Sequence, residues 1–164
     1  MKMYNISIVI HSQKELQMIN YDDDTSNLLN KLNSARTDKE FDDFIKENTE
    51  IDMKFSNFFS QILERKEMTV ASVIRAGGMD SKYPYQIING NKKSPGRNKV
   101  LCLCIGAQMN ISETNRALEL TNNAALYPKN SKDAIIIKHI NREDWSVANI
   151  NSELHEYGVN DLLG

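Results

Sequence analysis

Long apolar runs are missing from this chain. No stretch approaches the roughly 20 residues that a membrane-spanning helix needs. The segment YNISIVI (Tyr4 to Ile10) is too short for the apolar core of a secretory signal, and no small-residue cleavage site follows it. The chain reads as cytoplasmic, with no membrane attachment. Glycine and proline are scarce, at 7 and 3 in 164 residues, which argues against many tight β-turns. Cysteine is scarcer. Cys102 and Cys104 lie two apart inside VLCLCIGAQM, a spacing that points them in different directions on a helix. His11, His139 and His155 do not complete a metal-ligand pattern with them. They read as two buried free thiols, with no metal and no cofactor.

Catalytic signatures are missing too. Gly77-Gly78 lacks the flanking strand and the Lys-Ser/Thr pair of a phosphate loop. No Gly-x-Ser-x-Gly occurs, and no histidine has a His-x-x-x-His or Glu-x-x-His partner. Asp22 to Asp24, Asp42-Asp43 and Glu143-Asp144 are acids adjacent in sequence. Adjacent acids on a helix diverge, so they read as solvated faces and not as catalytic dyads. The expectation is a protein that is not an enzyme.

What is present is an uneven charge. Residues 1–54 hold 7 Lys/Arg and 11 Asp/Glu, residues 55–127 hold 9 and 5, and residues 128–164 hold 4 and 6. A basic centre between acidic flanks points to an anionic partner for the middle. The chain accordingly divides into an acidic N-terminal arm with helices (1–54), a basic middle domain (55–127) and a C-terminal two-helix extension (128–164).

The apolar spacing is helical throughout, apart from Tyr4 to Ile10, which reads as a lone strand or arm. Leu28, Leu29 and Leu32 mark one helix, with Thr25 or Ser26 as its cap. Thr37 with Glu40 forms a capping box for the next, whose apolar face is Phe41, Phe44 and Ile45. Phe55, Phe58, Phe59, Ile62 and Leu63 form a denser stripe. Thr69 caps a helix that carries Val70, Val73 and Ile74 and ends at Gly77-Gly78. RNKVLCLCIGAQ is apolar almost all round, as a central helix is. Ser112 reads as the cap of the following helix, and Leu126-Tyr127-Pro128 breaks the chain. Two helices close it, one over SKDAIIIKHIN and one from Ser146 to Gly158.

Residues 69–90 have the layout of a helix-turn-helix: a helix to Gly77, a turn at Gly78, Met79 in the corner, Ile87 and Ile88 as anchors, and Asn89-Gly90 as the stop. Pro84 fits such a second helix only near its start, where no intrahelical N–H is lost. It places the start at Ser81 or later, and the helix ends near Asn89.

Thr69, Val73, Gly78, Met79, Ile87, Asn89 and Gly90, followed by Asn91-Lys92-Lys93, Pro95 and RNKVLCLCIGAQMNIS, resemble the phage-repressor (Xre-type) helix-turn-helix family over about Ser56 to Ala125. The remaining C-terminal part is similar to a subgroup of small bacterial regulators with two appended helices. The chain departs from the family at Ile74, where Ala is usual, at Gly77, where an apolar residue is usual, and at Val70, where a polar phosphate contact is common. The resemblance implies an all-α fold with a five-helix unit and extra terminal helices. It also implies sequence-specific binding of double-stranded DNA by a homodimeric transcriptional regulator. On that mapping Ser81, Lys82, Tyr85 and Gln86 meet base edges. Thr69, Tyr83, Asn89, Lys92, Lys93, Arg97 and Lys99 meet the DNA backbone. The alternative is an adaptor on the same fold that no longer reads DNA and binds a protein partner through the acidic N-terminal or the C-terminal helices.

Overall fold

The computed structural model describes residues 25–48, 53–80 and 82–163. All regular structure among them is helical. Tyr4 to Ile10 and Asp22 to Asp24 lie outside the described residues, as does Ser81. None of the described helices is long and apolar enough to cross a membrane. The chain separates into two compact units, divided between Ile51 and Asp52.

The first unit contains α1 (Thr25–Ser34) and α2 (Asp38–Asn48), packed on each other. The described part of helix α1 runs over Thr25–Ser34, and its cap lies outside what the structure describes. Its charged side chain is Lys31, so the acidic character belongs to α2. The capping box of α2 forms as the spacing predicts. Thr37 Oγ1 accepts from the Glu40 N–H at 3.2 Å, and Glu40 Oε2 accepts from the Thr37 N–H at 3.0 Å. These bonds hold the Glu40 carboxyl below its ordinary range; the largest share comes from a further N–H, that of Arg36. Leu29, Phe41 and Ile45 are exposed.

The second unit contains α3 (Phe55–Arg65), α4 (Val70–Ala76), α5 (Tyr83–Ile88), α6 (Arg97–Gly106), α7 (Ile111–Leu120), α8 (Ser131–Asn141) and α9 (Val147–Glu156). Helix α6 is the centre. Val100 to Gly106 are all buried, as an apolar girdle around a helix requires. Helices α4, α5, α7 and α9 pack around it, α3 lies on α5 and α7, and α8 pairs with α9. Residues 159–163 fold back on the unit: Leu162 is buried and its N–H donates to Asn151 Oδ1 at 3.0 Å.

Helices α4 and α6 approach each other closely. A Cβ on Gly106 would stand 2.2 Å from the Val73 carbonyl oxygen, and one on Gly77 would stand 2.6 Å from that of Cys102. The small residue that lets the helices meet is thus on α6 and at the end of α4. Ile74 can keep a full side chain in the core.

Capping follows local chemistry. Thr69 caps α4 by accepting from the Ser72 N–H, and Ser72 returns a bond to the Thr69 N–H. Ser146 caps α9 as its position predicts. Ser112 does not cap α7: Asn110 does, in a box with Glu113, and Ser112 lies inside the first turn. The Asn side chain outcompetes the serine because it sits one residue before the first helical position.

Candidate nucleic-acid interface

The turn between α4 and α5 is set by backbone. Gly77 ends α4, and Gly78 follows at φ +69°, where a side chain would be strained. The Met79 N–H returns to the Ile74 carbonyl at 3.0 Å, and the Met79 side chain is buried in the corner. Lys82 precedes α5 as its N-cap, with no side-chain capping bond. Pro84 is the second helical residue, where its missing N–H has no helical partner to lose. The first α5 bond runs from the Gln86 N–H to the Lys82 carbonyl at 3.4 Å. Ile87 and Ile88 are buried, and Asn89 and Gly90 close the helix.

This short helix leaves its other side to solvent. Lys82, Tyr85, Gln86 and Asn89 are exposed, with Tyr85 at 44 %. The turn after α5 adds exposed Lys92 and Lys93. The Lys92 N–H donates to the Gln86 carbonyl at 3.0 Å, and its ammonium stands 5.8 Å from the centre of the half-buried Tyr83 ring. Tyr83 is therefore engaged with a lysine of the same edge. No acidic residue occurs between Asp80 and Glu113, so nothing along this stretch of chain cancels its lysines.

The remaining residues assigned to the DNA backbone fall elsewhere. Thr69 is exposed, but its hydroxyl oxygen serves the α4 cap. Lys99 is half-buried and its charge acts on Cys102. Arg97 is turned inward. Its Nη1 and Nη2 donate to the two Asp133 oxygens at 2.8 and 2.9 Å, and its Nε and Nη2 donate to the Ala124 and Ala125 carbonyls at 2.9 and 3.2 Å. A guanidinium held by four such bonds ties α6 to the 123–127 segment and to α8. Four of its five N–H groups are taken, and its fork is committed to the Asp133 carboxylate.

The fold adds residues that the sequence did not offer. Asn89, Gly90, Lys92 and Lys93 line an open cleft of about 760 Å³ together with Lys54, Ser56 and Asn57 at the start of α3 and Asn122 after α7. Lys54 and Asn57 lie some thirty residues away in sequence, and no local signal links them to the α5 edge. Glu119 also lines the cleft, so its sign is mixed.

Two other clusters bear on what the chain can do. Cys102 and Cys104 are both free and buried. Burial pushes the Cys102 thiol up to about 12, against the opposing pull of Lys99 and Lys132, and raises the Cys104 thiol as well. Neither is a nucleophile at neutral pH. His139, without a partner at any short motif spacing, has two in space: Asp144 and Glu153. Asp144 is therefore an engaged side chain and not part of a solvated acidic face.

No known family model matches the chain, and no curated protein and no solved structure matches it.

Proposed function

We propose that residues 82–93 form a DNA-reading edge, on a phage-repressor-like helix-turn-helix unit that regulates transcription as a homodimer. The observation that carries this reading is the exposed face of α5. Lys82, Tyr85, Gln86 and Asn89 stand free of the core on a helix that Ile87 and Ile88 anchor from behind, with Lys92 and Lys93 immediately after it. Gln86 is suited to the N6 and N7 edge of adenine, and Lys82 to guanine. Lys92 and Lys93 supply the sequence-blind attraction to phosphates. Arg97 is left out of the phosphate set because Asp133 holds it.

A fluorescence-anisotropy titration with a random-sequence duplex at low and moderate salt tests this. The wild-type chain is expected to bind at low salt and to weaken as salt rises. The double substitution Lys92→Ala/Lys93→Ala should lower affinity and flatten the salt dependence by about one unit of slope per lost phosphate contact. Absence of binding at low salt overturns the reading. It would favour the second one, an adaptor for a protein partner, which draws on the exposed Leu29, Phe41 and Ile45 of the N-terminal pair.

A further inference from the structure

His139 lies in α8 and is 6 % exposed. Both of its ring nitrogens face carboxylate oxygens: Nδ1 is 3.0 Å from Asp144 Oδ2, and Nε2 is 2.9 Å from Glu153 Oε2. An ionised carboxylate only accepts, and a neutral imidazole carries a single N–H. Satisfying both acceptors therefore requires the doubly protonated ring. Loss of one proton would leave a ring lone pair facing a carboxylate in a mostly buried place, an arrangement that is repulsive and short of a donor.

The two carboxylates belong to different parts of the C-terminal hairpin. Asp144 sits in the turn: its N–H closes α8 on the His139 carbonyl at 3.0 Å, and its oxygens accept from the Ser146 N–H at 3.3 Å and from Asn149 Nδ2 at 3.1 Å. Glu153 sits on α9 and also accepts from Lys138. The charged groups that face the ring are thus Asp144 and Glu153, with Lys138 reaching it only through Glu153. On the neighbouring helices Arg97 is paired with Asp133, Glu113 with Arg65 and Lys66, and Arg116 with Glu119. Val147 at the start of α9, with Leu163 of the segment after it, in turn reaches the turn between α4 and α5. A Cβ on Gly78 would meet Leu163 Cδ1 at 3.4 Å and Val147 Cγ1 at 3.8 Å.

We propose that His139 is a proton-operated latch that holds α9 against the Gly78 turn, closed while the ring is charged and released when it loses a proton. The latch stands on its own geometry; its consequence for DNA binding rests on the reading of the α5 edge given above. The direction is fixed by the chemistry. The contribution of His139 is present while the ring holds both protons and is lost when a rise in pH removes one. The carboxylates set the other limit. Asp144 is held below its ordinary range chiefly by Asn149 and then by His139, and Glu153 chiefly by Lys138 and then by His139. Their contribution is present above the ordinary carboxylate range and fades as pH falls through their lowered values.

Amide hydrogen exchange on the full chain tests the latch at about pH 5 and about pH 9, after correction for the intrinsic pH dependence. The amides of α9 should lose about tenfold protection relative to α3 and α6 at the higher pH, the size expected for a buried charged hydrogen bond. In His139→Gln, α9 should be weakly protected at both values. In Asp144→Asn/Glu153→Gln, which removes the charges that demand two ring protons, the difference between the two values should vanish. Unchanged α9 protection in the wild-type chain, or a wild-type pH dependence persisting in His139→Gln, overturns the proposal. DNA titrations at the same two values separate the two readings. Failure to bind at both rejects the DNA edge while the exchange result still decides the latch.

Discussion

Arg97 has the sequence setting of a phosphate contact and the spatial setting of a strut. It opens α6, just after the lysines, yet its fork meets the Asp133 carboxylate of α8. Asp133 is 4 % exposed and also accepts from the Tyr127 N–H at 2.9 Å. A lysine has no fork with which to hold both carboxylate oxygens and two carbonyls. Arg97→Lys should therefore lower stability by about 2–4 kcal/mol in urea unfolding, since it leaves a buried carboxylate under-paired, while the salt slope of DNA binding stays at its wild-type value. A flattened slope with unchanged stability would return Arg97 to the phosphate set. The cysteines make a second prediction at this scale. With both thiols buried and raised, a thiol reagent at about pH 8 should modify neither in the folded chain and both in urea. Labelling of the folded chain at the unfolded rate would contradict the buried arrangement.

At the scale of the element, helix ends and helix contacts were unequally legible. Thr69, Thr37 with Glu40, Ser146, and the stops at Gly78, Gly90 and Gly158 were readable because each is a local signal acting over three or four residues. Other ends carry no such signal. Glu67, Gln108, Asn122 and Glu143 adopt φ between 53° and 57° at the ends of α3, α6, α7 and α8. Each is followed by a return bond to the helix, such as Met68 N–H to Leu63 O at 2.9 Å and Met109 N–H to Cys104 O at 2.9 Å. Tertiary packing and these bonds hold a left-handed residue that propensity alone disfavours. The contact between α4 and α6 was similarly hidden, because Gly106 reads in sequence as one more residue of an apolar helix. Gly106→Ala would force a methyl to within 2.2 Å of the Val73 carbonyl. It should destabilise the unit by about 3 kcal/mol, against the gain of about 1 kcal/mol that alanine brings to an unconstrained helix. A urea midpoint at or above the wild-type value would show that the helices have room to part.

The whole molecule divides into two units, and the second holds the core, the α5 edge and the C-terminal hairpin. Its central helix was legible from composition alone, since residues apolar on every side have nowhere to go but inside. The long-range pairings were not. Asp133 lies 36 residues from Arg97, and Glu153 lies 14 from His139, distances at which a single sequence gives no pairing signal. The edge formed by Lys82, Tyr85, Gln86, Asn89, Lys92 and Lys93 was legible because it is one continuous segment whose helix is short, anchored by two isoleucines and started by a proline. Ser81, read with that set, lies outside the described residues. The claim that this edge reads DNA is tested most directly by selecting bound duplexes from a random pool with the wild-type chain and with Gln86→Ala. The account predicts an enriched motif for the wild type, arranged as two half-sites about one helical turn apart, with preference relaxed at one position per half-site in the variant. Recovery of the pool without enrichment by the wild-type chain would contradict it.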